Sequence, residues 1–296
     1  MKESILEFIG NTPMVRLKGY SIFLKLEYFN LTGSIKDRVA KQILLDAIHE
    51  GTLRKGMTIA EATSGNTGIA LAAIGRALGY PVLLFMPESM SMERRKLLKG
   101  YGAELILTPK EEGMEGATKR LAKLKNSQSN LFIPNQFENP KNILAHYLHT
   151  AKEIWDAMEQ AVDVVVAGIG TGGTIMGIAQ YVKERNASCY IVGVEPKNSP
   201  FLTKGYRDTH QIEGIGAGFF PPLLDMAYLD EILPVSDQEA YHLLYELALN
   251  EGLFLGPSSC AAIVAAKKIQ QRKEFQDKRI AVICPDSISK YISLLK

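Results

Sequence analysis

One lysine stands where chemistry is favoured. In the stretch N-L-T-G-S-I-K-D-R-V, residues 30–39, Lys36 follows turn-forming residues and opens a helical pattern. The positive end of a helix dipole disfavours an ammonium in that first turn, by about 0.3–1 kcal/mol. The neutral amine is thereby favoured, and that is the form that attacks an aldehyde to make an imine. Three further loops carry chemistry-bearing groups. E-A-T-S-G-N-T-G-I-A-L-A-A brings Thr63, Ser64, Gly65, Asn66 and Thr67 to a strand-to-helix junction. Hydroxyls, an amide and free helix N–H groups can receive a carboxylate there, and N-capping by Thr63 or Ser64 is the simpler use of the same groups. G-I-G-T-G-G places Gly168, Gly170, Gly172 and Gly173 between an apolar strand pattern and a helix. In such a turn, backbone N–H groups and a helix N-terminus can close around a phosphate. Finally, G-P-S-S-C-A-A sets Ser258 and Ser259 at another helix start, where a hydroxyl caps the helix or meets a heteroaromatic nitrogen.

Spacing alone does not say which phosphate is held. Gly168, Gly170 and Gly173 also satisfy G-x-G-x-x-G, and Glu195 closes the next strand near the position of a ribose-binding acid. An NAD-dependent dehydrogenase is therefore an alternative at this point. His146 and His149 lie three apart on a helical pattern but have no evident third ligand, so no metal is expected. Asp225 and Asp230 could assist proton transfer, although solvated loop positions account for them; Cys260 and Trp155 read as core.

The elements that must position these loops alternate in type. Apolar runs rich in β-branched residues (I-F-L-K-L-E-Y, M-T-I-A-E-A, P-V-L-L-F-M-P, A-E-L-I-L-T-P, D-V-V-V-A-G-I-G, C-Y-I-V-G-V-E-P and R-I-A-V-I-C-P-D) are separated by helical patterns. This predicts an α/β fold, a mostly parallel sheet wrapped by helices. From Lys36 to Glu50, the residues Val39, Ile43, Leu44, Ala47 and Ile48 share one helical face, with Gly51 as a stop; Gly79 closes the pattern that begins at Thr67. A change of domain is expected near I-P-N-Q-F-E-N-P-K-N.

Composition excludes several classes. The chain has 296 residues, 46% of them hydrophobic, with 34 basic and 32 acidic side chains for a net charge of +2. It shows no electrostatic footprint for nucleic acid or an anionic membrane, and the basic run M-E-R-R-K-L-L-K-G reads as an amphipathic helix with a solvated face. Cys189, Cys260 and Cys284 are far apart, with no zinc or disulfide spacing, and the sequence has neither signal-peptide character nor an apolar run long enough to span a bilayer. A cytoplasmic location is expected.

The four loops, in this order, resemble the cysteine synthase and cystathionine β-synthase family of fold-type II pyridoxal phosphate enzymes. The likeness runs from I-G-N-T-P-M-V-R-L through F-N-L-T-G-S-I-K-D-R, E-A-T-S-G-N-T-G, N-Q-F-E-N-P-K-N, G-I-G-T-G-G-T-I-M-G and I-E-G-I-G-A-G-F to G-P-S-S-C-A-A. It implies two domains of the tryptophan synthase β-like type, a smaller movable one at 36–140 and a larger one formed by 1–35 plus 141–296. By resemblance, Lys36 forms the Schiff base and acts as general base. Gly170, Thr171, Gly172, Gly173 and Thr174 wrap the cofactor phosphate, which removes the ribose role of Glu195. Asn66 meets the ring oxygen and Ser258 the pyridine nitrogen, while Thr63, Ser64, Gly65, Asn66, Thr67 and Gln136 hold the substrate carboxylate. The implied reaction is β-replacement through an aminoacrylate, converting O-acetyl-L-serine and sulfide to L-cysteine and acetate. The alternative within the family acts on L-cysteine or L-serine, releasing sulfide or making lanthionine or cystathionine. The resemblance also implies a homodimer, with serine acetyltransferase a candidate assembly partner that the sequence does not decide.

Overall fold

A computed structural model describes residues 3–63 and 65–292. The chain builds two sheets. The larger has six strands in the order β1 (Met14–Arg16), β2 (Ile22–Leu26), β10 (Ile280–Cys284), β7 (Val164–Gly168), β8 (Tyr190–Pro196) and β9 (Glu231–Val235). All neighbours are parallel except β1 and β2. The smaller is parallel throughout, ordered β5 (Glu104–Thr108), β4 (Val82–Pro87), β3 (Thr58–Ala62) and β6 (Leu131–Phe132). The seven strands predicted from apolar runs all form. Three short ones escape the pattern: β1 and β6 are too brief to show a period, and β9 contains Pro234. Proline removes a ladder donor and is tolerated there because β9 is an edge strand paired only with β8.

Helices cover both sheets, as a parallel sheet buried on both faces requires. In α1 (Lys36–His49), Val39, Ile43, Leu44 and Ala47 are buried on the predicted face, and Gly51 at φ 72° ends the run. Leu44 and Ala47 pack with Ile69, Leu71 and Ile74 of α2 (Asn66–Ala77) over Ile59, Val82 and Leu84. The larger sheet packs α7 (Gly173–Lys183) on one face and α9 (Asp237–Glu251) with α10 (Pro257–Gln270) on the other. Cys260 lies in this second layer, fully buried as expected, whereas Trp155 is only partly buried at the edge of the first.

Two polar devices fix the start of α1. Asp37, fully buried, accepts the Thr32 N–H at 2.6 Å and the Thr32 hydroxyl at 2.5 Å, which closes the turn that delivers Lys36. One residue further on, Arg38 donates to Glu27 from Nε at 2.7 Å and to both oxygens of Glu153 at 2.7 Å. Lys25 meets the same Glu153 at 2.7 Å. Burial raises a carboxyl's proton affinity, but the hydrogen bonds and charges of Arg38 and Lys25 prevail and hold Glu153 at about 2. This cluster ties α1 to β2 and to α6 (Lys152–Ala157).

Candidate active site

Ligands of open α/β sheets collect at the carboxyl ends of parallel strands. Here the loops after β2, β3, β7 and β10 converge, and an isolated bridge between Leu255 and Ser287 brings the start of α10 to the same place. Together they surround a cleft of about 530 Å³, counting open space at its mouth. Its walls include Lys36, Asn66, Gly170, Thr171, Gly172, Thr174 and Ser258, so seven of the residues singled out from sequence share one cavity. Gly173 sits directly behind, as the first residue of α7.

The 170–174 turn has the form of an anion cradle. Gly172 takes a left-handed φ of 84° at the N-cap, and Gly172, Thr174 and Ile175 bring the first turn of α7 to the cavity wall. A side chain at Gly170 would meet the Gly214 carbonyl at 2.5 Å, and one at Gly173 would meet the Asn142 side chain at 2.1 Å. Close approach thus accounts for these two glycines. Glu195 takes no part: its buried carboxylate accepts the Leu202 N–H at 2.8 Å and also bonds Thr203, capping the short helix α8 (Phe201–Lys204).

Opposite the turn, Lys36 is enclosed by protein on every side but the cavity, and its Nζ has no hydrogen-bond or ion-pair partner among the described residues. Burial lowers its pKa to about 8, with the nearby Asp286 charge opposing. Desolvation, not the helix end invoked from sequence, is the leading cause. Asn66 donates to Asp286 at 2.6 Å, and its buried Oδ1 is unpartnered among the described residues. Tyr291 donates to the same Asp286 oxygen at 2.5 Å, while burial lifts the Asp286 carboxyl to about 6. The Ser258 hydroxyl has no protein partner among the described residues. An unpaired amine, an orphaned amide oxygen, a free buried hydroxyl and a phosphate-sized nest facing one cleft fit pyridoxal phosphate. Lys36 further predicts that capture of pyridoxal phosphate by the apoenzyme accelerates with pH around a midpoint of about 8. Stopped-flow absorbance checks this, and a midpoint near the ordinary lysine value of 10.5 contradicts it.

Of the residues read as a carboxylate socket, Asn66 lines the cleft, while Thr63, Gly65, Thr67 and Gln136 are not among its lining residues. Thr67 donates to Gln136 Oε1 at 2.6 Å, both buried, and the Gly65 N–H reaches the Thr63 hydroxyl at 3.4 Å. Ser64 lies outside the described residues. Sequence reasoning missed Asp286, Tyr291 and Asn142. The pair His146 and His149, for which no metal is expected, falls on a π-helical turn (His146–Ala151). His146 is buried between the Thr150 hydroxyl at 3.0 Å and the Thr174 hydroxyl at 3.2 Å, and burial lowers its pKa well below the usual value. No cluster of three or more metal-ligating side chains occurs among the described residues.

Comparison with known proteins agrees with this geometry. Residues 5–286 match the family model described as "Pyridoxal-phosphate dependent enzyme". The chain is 44% identical to cysteine synthase B of Campylobacter jejuni over 293 residues, covering 98% of this chain and 97% of that protein. It superimposes on the crystal structure of cysteine synthase from Entamoeba histolytica with a TM-score of 0.96 at 42% identity, covering 99% of this chain and 90% of the other. A hydrogen sulfide-producing enzyme from Fusobacterium nucleatum matches with a TM-score of 0.91 at 38% identity, covering 98% and 100%. No described helix is long and apolar enough to cross a membrane. With its cleft suited to the cofactor and its length matched end to end, the chain belongs to the pyridoxal-phosphate dependent enzymes, on their cysteine synthase branch.

Proposed function

We propose that this chain catalyses β-replacement, forming L-cysteine and acetate from O-acetyl-L-serine and sulfide. The observation that carries the reading is a desolvated, unpaired Lys36 amine facing a phosphate turn, in a chain that matches cysteine synthases over nearly its full length. Residues 170–174 hold the phosphate through backbone N–H groups and the Thr171 and Thr174 hydroxyls. Asn66 and Ser258, both in the cleft wall, would orient the ring. Bound pyridoxal phosphate supplies an electron sink at the substrate Cα. Lys36 first carries the cofactor and then, released as a neutral amine, accepts the Cα proton as general base. Thr63, Ser64, Gly65, Thr67 and Gln136, with the Asn66 backbone, hold the carboxylate and so fix which face of Cα meets that amine. Ser258, a neutral partner, leaves the ring nitrogen less fully protonated than a carboxylate would, which favours loss of acetate from Cβ over transamination. After hydrosulfide replaces acetate at Cβ, Lys36 would return the proton to Cα.

Residues 36–140 carry the smaller sheet, and we infer that they move against 1–35 plus 141–296 when the carboxylate socket fills. The same reading includes a cytoplasmic homodimer with serine acetyltransferase as assembly partner. A second reading, sulfide release from L-cysteine, is supported by the likeness to the sulfide-producing enzyme. Supplying O-acetyl-L-serine, L-serine and L-cysteine with and without sulfide separates the two. The expected result is cysteine formation from O-acetyl-L-serine with kcat/KM at least about tenfold above the other donors. No turnover of O-acetyl-L-serine, with sulfide released from L-cysteine, would transfer the assignment to the second reading.

A further inference from the structure

Asn142 is completely buried at the start of α5 (Lys141–Ala145) and does not line the cleft; it closes the segment N-Q-F-E-N-P-K-N, in which sequence gives a role to Gln136 alone. Its amide nitrogen makes two hydrogen bonds that point in different functional directions. One goes to the backbone carbonyl of Gln136 at 2.8 Å, and the other to the Thr171 hydroxyl at 3.0 Å. Thr171 lines the phosphate turn, and its hydroxyl also receives the Gly173 N–H at 3.4 Å. Gln136 is joined through its side chain to Thr67 at 2.6 Å. A continuous chain of contacts therefore runs Thr67, Gln136, Asn142, Thr171, Gly173.

The other end of the amide explains why the chain is more than a row of hydrogen bonds. Asn142 Oδ1 is buried and unpartnered among the described residues. It is pressed against Gly173, where a Cβ would come within 2.1 Å of it. An unsatisfied buried amide oxygen costs free energy, and here it is held against the first residue of the helix whose N-terminus faces the cleft. The oxygen end rests against Gly173, while the nitrogen end holds both Thr171 of the 170–174 turn and the Gln136 carbonyl. One planar amide thus touches both loops.

We propose that Asn142 is a positioning residue that couples the phosphate turn at 170–174 to the carboxylate-binding Gln136. The consequence is that loading the phosphate pre-sets Gln136 for the amino-acid carboxylate, and filling the carboxylate socket tightens the turn, because coupling between two sites is reciprocal. The half of the claim that concerns Gln136 rests on the proposed β-replacement function; the half that concerns Thr171 does not.

The test uses two binding constants and no turnover. Inorganic phosphate binding to the apoenzyme reports the turn. L-alanine, which has the carboxylate but no leaving group, reports the socket in the holoenzyme through its perturbation of the visible band. Asn142→Ala is expected to weaken both by about tenfold, the effect of losing one buried hydrogen bond on each side. Asn142→Asp keeps the volume but has no amide donor, so it should weaken both as well, phosphate more because a negative charge is added nearby; it serves where the alanine variant folds poorly. In a double-mutant cycle, Gln136→Ala should cost clearly less L-alanine affinity when Asn142 is already replaced. Both constants staying within about twofold in a variant of lower Tm would make Asn142 a structural wedge and overturn the proposal. Additive losses in the cycle would overturn the coupling and leave the carboxylate role of Gln136 standing. Unchanged L-alanine affinity in Gln136→Ala alone would overturn that role, and the coupling with it.

Discussion

Replacing Lys36 with alanine is expected to abolish the visible band of the bound cofactor and to lower turnover of O-acetyl-L-serine by at least about 10³-fold, since in the proposed function one side chain both carries the cofactor and moves the Cα proton. The change should leave the fold intact. Lys36 has no hydrogen-bond or ion-pair partner among the described residues, so its removal strands no buried group and relieves the desolvation that depresses its pKa to about 8. Near-native stability of the apoenzyme together with loss of band and turnover is the combination to look for. Retained turnover would contradict the role, and wholesale unfolding would contradict the absence of a structural one.

Arg38, two residues further along the same helix, has the opposite profile. Arg38→Ala is expected to destabilise the apoenzyme by about 3–5 kcal/mol, the range for stripping one partner from a buried ion cluster. Glu27 is fully buried, and after the change its carboxylate would keep only the Thr12 hydroxyl at 2.7 Å and the Asn30 amide at 2.8 Å. Glu153 would retain Lys25 at 2.7 Å and the Asn11 N–H at 2.9 Å. Because the cluster pins the first turn of α1 to β2 and α6, looser cofactor retention should accompany the stability loss. Urea unfolding of the apoenzyme measures the first effect and dialysis of the holoenzyme the second. A loss below about 1 kcal/mol would show that the cluster relaxes or admits water, and would remove it as the device that fixes the lysine.

These two residues mark what local sequence can and cannot reveal. Lys36 and the 170–174 turn were readable because their chemistry is set by neighbours along the chain: turn formers before a helix, and glycines where backbone N–H groups must approach an anion. The strands were readable for a related reason, since a parallel sheet buried on both faces writes itself as continuous apolar runs. What escaped depends on partners distant in sequence. Asn66 meets Asp286 across 220 residues, and Asn142 meets Thr171 across 29, so no local spacing announces either pair. Nor does spacing show where His146 is used: it lies on a π-helical turn and meets two threonine hydroxyls inside the protein. The cause assigned to the lysine also changed. Sequence offered only a helix end worth a fraction of a kcal/mol, whereas enclosure by distant segments supplies the larger desolvation.

The most direct test of the whole account is chemical. Holoenzyme is reduced with borohydride, digested, and its peptides mapped by mass. The account predicts one pyridoxyl-phosphate adduct, on Lys36, with activity lost in proportion to its yield. An active, reduced holoenzyme whose Lys36 peptide is unmodified would contradict it.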